Sequence, residues 1–201
     1  MYSKMTTSVV DFICEHTKSD EETREIYSYG LEIILINILN TIITLVLATI
    51  TNHLFETIIL IVAFYPLQSF GGGYHAQTHF RCLSIFLIGW VLAMLAIPYI
   101  KSSDFLIFIL ALTGTITIFL LAPIEHVNFP MSSRKKYKMK SIVRSIASLL
   151  FFMTIIFDTI LECKIVSAVL SVALIWSGLS MLSAFIRQSI LQKRSEVEDK
   201  I

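Results

Sequence analysis

The run Gly71-Gly72-Gly73-Tyr74-His75-Ala76-Gln77-Thr78-His79-Phe80-Arg81-Cys82 gathers the residue types of nucleophilic catalysis into one short stretch. A thiolate attacks a carbonyl, and an imidazole takes the thiol proton and later delivers one to the leaving amine. A cation beside the sulfur favours the thiolate, and Arg81 or a protonated histidine is the candidate for that role. Three consecutive glycines in an otherwise apolar chain need a reason, and they permit positive φ and close backbone approach. Residues seven apart on one straight helix are separated by about 10 Å along the axis, at about 1.5 Å per residue. His75 and Cys82 stand at that spacing and would not hydrogen-bond on such a helix. Either the helix begins after His75 or the chain bends between the two. His79, three residues before Cys82, reaches more easily on a helix, so the residues alone leave both histidines open as the base. The competing reading is packing: a free Cys behaves as a small hydrophobe, and membrane glycines serve as helix-contact sites.

The elements that must hold this run are apolar. Of 201 residues, 55% are hydrophobic and 15% charged, against about 45–50% and about 25% in soluble domains. Six segments approach the roughly 20 apolar residues that span a bilayer as a helix: 32–51, 54–70, 83–100, 105–123, 142–161 and 165–186. Six such segments joined by short loops leave almost no polar surface for water, which excludes a soluble fold. The expected class is an all-α polytopic membrane protein. Segment two is short and contains Pro66, which breaks the helical ladder, so a re-entrant course is an alternative there. Residues 1–30 are polar to amphipathic: Val9, Phe12, Ile13 and His16 recur at helical spacing, as in an interfacial helix, and Ser19 with Glu22 forms a capping-box pattern for a second. The organisation is therefore an interfacial region (1–30), a transmembrane catalytic domain (31–188) and a polar tail (189–201).

Charge sets the expected orientation. The 124–144 connection holds Arg134, Lys135, Lys136, Lys138, Lys140 and Arg144, and the tail holds Arg187, Lys193 and Arg194. Lys101 and Lys164 are the basic residues of the opposite connections. The basic side is expected to be cytoplasmic, together with both termini and the 71–82 connection. The run from Arg134 to Lys140 serves as an anchor attracted to anionic lipid, with docking of an acidic peptide as the sharper reading. Asp158 and Glu56 read as interfacial residues. Asn37, Asn40, Thr41 and Thr44 read as interhelical hydrogen-bonding groups, and Trp90 and Trp176 as ordinary membrane aromatics. Cys14 and Cys163 have no histidine at useful spacing, His16 beside Cys14 being the weak exception. His75 and His79 are i, i+4 but lack the glutamate of a zinc HExxH helix, so no metal, cofactor or nucleic acid is expected. Glu125 or Asn128 is a candidate to orient a catalytic histidine.

The run Gly72-Gly73-Tyr74-His75-Ala76, with Cys82 seven residues past the histidine, resembles the signature of the accessory gene regulator protein B family. These are peptide-processing enzymes of Gram-positive quorum sensing. The resemblance extends over nearly the whole chain: residues 25–32, Glu-Ile-Tyr-Ser-Tyr-Gly-Leu-Glu, resemble the family's entry into its first membrane segment, and Ala122-Pro123, Asn128 and the basic run resemble its central loop. It implies His75 as catalytic histidine and Cys82 as nucleophile, with a non-helical break between them. It implies cleavage of the C-terminal part of a small propeptide, an acyl-enzyme thioester, and attack by the peptide's own cysteine (or serine) to close a macrocycle, a thiolactone in the cysteine case. It also implies a homodimer in the cell membrane. Backbone N–H groups of Gly72, Gly73 or the following helix start are the expected oxyanion donors. Many members carry an arginine four residues before the Gly-Gly pair, where this chain has Gln68; Arg81 is the candidate substitute. A peptide exporter and a non-enzymatic membrane scaffold are the competing functions. No ATP-binding motif and no pair of broken helices in matching halves favours export.

Overall fold

The computed structural model describes residues 21–72, 79–124 and 132–198, and all regular structure within them is helical. The helices are α1 (Glu21–Ile50), α2 (Leu54–Gly71), α3 (His79–Ile100), α4 (Asp104–Leu121), α5 (Ser133–Thr159) and α6 (Lys164–Glu198). Five of them, α2 to α6, are long and apolar enough to cross a membrane. The all-α polytopic expectation therefore holds. The amphipathic pattern at Val9 to His16 and the cap at Ser19 lie outside the described residues.

The chain divides into two units, residues 1–47 and 48–201. The first is carried by α1, whose apolar part, Ile34–Ile50, is shorter than the other spans. Thr41 Oγ1 donates to the Asn37 carbonyl and Thr44 Oγ1 to the Asn40 carbonyl, each at 2.7 Å. These bonds close one turn back on the same helix, which satisfies a hydroxyl internally where water is scarce.

The second unit is built around α6, which packs against α4, α2, α5 and α3. Its first half is buried continuously from Val166 to Leu174. Small residues make that possible: Ser167, Ala168, Ser171, Ala173 and Ser177 are all fully buried. In lipid, close backbone approach replaces the hydrophobic effect as the reason helices associate. At the α4–α6 crossing, a Cβ on Gly114 would lie 2.5 Å from the Leu174 carbonyl carbon and the Ile175 nitrogen, and one on Gly178 would lie 3.2 Å from the Gly114 oxygen. Leu67, Ile118, Val143, Leu174 and Met181 fill the core beside this contact. Large apolar side chains such as Leu92, Leu95, Phe105 and Leu120 point outward, as lipid-facing residues do.

The two ends of this unit differ. At one end the turns are short: 51–53, 101–103 and 160–163. Asn52 (φ 58°) and Glu162 (φ 52°) adopt the left-handed conformation that stops a helix. Lys164 Nζ donates to Asp104 Oδ1 (2.8 Å) and Asp158 Oδ1 (3.0 Å), joining the start of α4, the end of α5 and the start of α6. Ser167 Oγ also donates to Asp158 Oδ1, at 3.2 Å. Asp158 thus belongs to a three-helix clasp, consistent with its interfacial reading. At the other end lie the end of α2 at Gly71 and Gly72, the segment Ala122 to Ile124 and the start of α5.

Two expectations are modified. α2 runs unbroken through Pro66 to Gly71 as a span-length helix, so no re-entrant break occurs within it. The basic run is helical: α5 begins at Ser133, with the Ser132 hydroxyl capping it by accepting from the Lys135 N–H at 3.4 Å. Lys and Arg are good helix formers, and nothing between Ser133 and the apolar segment interrupts the ladder. The unusual residue of this helix is Arg144. Phe119, in the last turn of α4, has Pro123 four residues ahead, and proline has no N–H to donate to the Phe119 carbonyl. Arg144 Nη2 fills the gap at 2.6 Å, and its guanidinium lies 5.3 Å from the centre of the Phe119 ring. Arg144→Met is therefore expected to leave a polar group unpartnered at a cost of about 1–3 kcal/mol. In detergent, thermal unfolding should shift down by roughly 2–12 °C; an unchanged midpoint would refute this cap.

Candidate active site

The site is organised by the end of α2. Gly72 caps the helix, its N–H donating to the Gln68 carbonyl at 3.0 Å. Its backbone has φ 73° and ψ 166°, a region open essentially only to glycine. A Cβ there would lie 2.6 Å from the Ile124 oxygen. The neighbouring Gly71 carbonyl accepts from the Ile124 N–H at 2.9 Å. Gly72 is thus needed for two reasons, its positive φ and the close approach of Ile124, which the Gly71 carbonyl latches against the end of α2. Because Gly72 N–H is already engaged by Gln68, it is not a free oxyanion donor. Its contribution is conformational, which corrects that expectation for Gly72. Gly73 lies outside the described residues, as do His75, Glu125 and Asn128.

Gln68 is fixed on both sides. Its main chain receives the Gly72 cap, and its side-chain Oε1 accepts from Ser180 Oγ of α6 at 3.4 Å. Its Nε2 is buried and has no hydrogen-bond partner. An unpaired buried amide group is costly, and here it sits one turn before the glycine corner.

Helix α3 opens at His79, so His79 and Cys82 share its first turn. Cys82 is half-buried and not in a disulfide, and Arg81 is exposed. Phe86, one turn below Cys82, belongs to an aromatic plate with Phe64 and Tyr65 of α2 and Trp176 of α6, with ring centres 4.9 to 6.2 Å apart. Gly89 admits Trp176 to this plate, since a Cβ there would lie 2.4 Å from the indole. Further along α3, Trp90 Nε1 donates to the buried Thr57 Oγ1 at 2.9 Å. Tryptophan buries well when its N–H finds a partner, so these residues pin α3 to α2 and α6 beneath the cysteine. Read from sequence, Trp90 and Trp176 carried no such role; the adjacent Gly89 was the available signal.

The basic residues stand across the same end. Arg134, Lys135, Lys136 and Lys138 are exposed on the first turns of α5, and Lys140 is half-buried. Lys136 and Lys140 line a cavity of about 310 Å³ together with Ala122, Pro123 and Ile124. That wall is the segment latched to Gly71, so α5 cations and the glycine corner border one connection. Among the described residues no cluster of His, Cys, Asp or Glu could hold a metal ion.

The accessory gene regulator B family model matches residues 6–181. An AgrB-like protein of Clostridium perfringens is 27% identical over 157 residues, covering 77% of this chain and 83% of that protein. An AgrB-like protein of Listeria innocua is 31% identical over 129 residues, 63% of each chain. Accessory gene regulator protein B of Staphylococcus intermedius is 29% identical over 127 residues, covering 63% of this chain and 66% of that protein. The match thus spans a little under two thirds of the Listeria and Staphylococcus relatives. No solved structure matches the chain. This helical chain, with five spans long enough to cross a membrane and a match to the family model over residues 6–181, belongs to the accessory gene regulator B family.

Proposed function

We propose that this protein is a membrane-embedded cysteine endopeptidase that cuts the C-terminal part from a small quorum-sensing propeptide and retains the remainder as a thioester. The observation that carries the reading is the place of Cys82 in the first turn of α3, ten residues after Gly72, in a chain of this family. His75 takes the Cys82 proton. The thiolate attacks the scissile carbonyl, the C–N bond breaks, and the leaving amine departs with the proton from His75. A thiolate in the first turn of a helix meets the positive end of the helix dipole. The oxyanion donors are then the Gly73 amide and the first amides of α3, because Gly72 N–H caps α2. The peptide's own thiol displaces Cys82 from the acyl group, closing the ring without ATP since the thioester conserves the bond energy. Water must be kept out during that interval, and the aromatic plate under Cys82 suits this. The site faces the cytoplasm with the basic turns of α5. Lys164 on the opposite side is neutralised by Asp104 and Asp158, which sharpens the charge asymmetry between the two sides.

The test is co-expression with a candidate propeptide and mass spectrometry of the peptide. His75→Ala should abolish cleavage and His79→Ala should retain it. The reverse pattern would assign the base to His79, and full activity of both variants would remove the histidine from the mechanism.

A further inference from the structure

The face of α5 that carries Arg144 has no role in the chemistry above. Tyr137, Lys140, Ser141, Arg144, Ser145 and Ser148 line an open groove of about 600 Å³ along this one helix. Their spacing places them on a single stripe. Several hydroxyls of the neighbouring helix α4 are tied down, as Thr113, Thr115 and Thr117 donate to carbonyls four residues back. Arg144 Nε is buried without a partner, while its Nη2 is anchored on the Phe119 carbonyl. Phe119 is in the last turn of α4, so Arg144 stands at the depth where that helix leaves the apolar layer. The stripe continues into apolar residues, Phe152 being 61% exposed. From Arg144 to Phe152 is about 12 Å at about 1.5 Å per residue. Lys140 and Arg144 at the interface, Ser145 and Ser148 within the next turn and an exposed aromatic below them match, in order, a phosphate, a glycerol ester region and an acyl chain. The N-terminal turns of α5 contain basic and no acidic residues, so the helix dipole adds to the positive potential there.

We propose that this stripe binds one anionic glycerophospholipid, with its phosphate held by Lys140, Ser141 and Arg144 and its ester region on Ser145 and Ser148. The site is distinct from the diffuse attraction of the exposed lysines, because it requires one face of one helix. The full chain would be purified in detergent, incubated with phosphatidylglycerol or phosphatidylcholine, and examined by native mass spectrometry. One phosphatidylglycerol should be retained per chain in preference to phosphatidylcholine. Lys140→Gln should weaken retention about fivefold, the effect of about one basic residue near a lipid surface, while Lys135→Gln, the same charge change on the opposite face, should have less than a twofold effect. Ser145→Leu, which leaves the charge intact, should also weaken retention. Inorganic phosphate should not displace the lipid, because the apolar stripe contributes to holding it. Equal effects of Lys140→Gln and Lys135→Gln, or equal retention of both lipids, would overturn the proposal. Displacement by inorganic phosphate would overturn it in favour of a bare anion site. Retention of an acidic peptide with no phosphatidylglycerol would overturn it in favour of propeptide docking. Unfolding midpoints of the variants separate lost binding from lost fold.

Discussion

Cys82→Ala is expected to eliminate propeptide cleavage, with a loss of about 10⁴-fold or more, since nothing replaces a missing nucleophile in a covalent mechanism. The fold should be untouched. Cys82 is half-buried, and alanine differs from it by one sulfur, so helix content and the unfolding midpoint in detergent should match wild type. This combination separates catalysis from packing. A cysteine that only filled space would show the opposite pattern, a small stability loss with cleavage retained. Cys82→Ser adds a second arm, because it preserves the shape and replaces the thiolate with a poor nucleophile. It too should be inactive.

The second large effect concerns the scaffold. Gly114→Val should disrupt the α4–α6 crossing, because the added Cβ would fall 2.5 Å from main-chain atoms of Leu174 and Ile175. Backbone cannot swing aside, so the two helices must separate and the small buried residues of α6 lose their contacts. A cost of about 3 kcal/mol or more is expected for such overpacking, or roughly 6–12 °C in the midpoint. Gly71→Ala provides the contrast. Its new methyl would meet mainly the tip of Met181, a flexible side chain that fills irregular gaps, so the loss should stay within about 1 kcal/mol. Equal midpoints for the two variants would show that the crossing is looser than described.

Much of the scaffold is legible in the sequence because a bilayer demands long apolar runs. The segments expected at 54–70, 83–100, 105–123, 142–161 and 165–186 each coincide with one of the helices α2 to α6 to within two residues at their C-terminal ends, α6 excepted. Hydropathy falls short where a helix outlasts its apolar part. α5 begins nine residues before the expected segment because lysine and arginine lower hydropathy without lowering helix propensity. α6 likewise continues to Glu198, through most of the expected polar tail.

The candidate site is legible to a different extent. A glycine triplet followed by histidine and cysteine stands out in an apolar chain, and it marks the region without any structure. What holds the region does not stand out. The latch between Gly71 and Ile124 and the Gln68–Ser180 bond join residues far apart in the chain, and no local pattern encodes such pairs. Gly72 illustrates the limit. Its glycine identity suggested an amide offered to an oxyanion, whereas the structure uses that amide to end α2. Arg144 was legible in principle: a proline four residues beyond a helical carbonyl leaves that carbonyl in need of a donor.

The most direct test of the central claim is the mass of the protein itself during turnover. The chain would be co-expressed with a propeptide whose own cysteine is replaced by alanine, so that ring closure is blocked, and then analysed intact and after digestion. An acyl group of the N-terminal peptide fragment on Cys82, removed by hydroxylamine, is the predicted result. Released C-terminal fragment with Cys82 unmodified, or cleavage that persists in Cys82→Ala, would contradict the account.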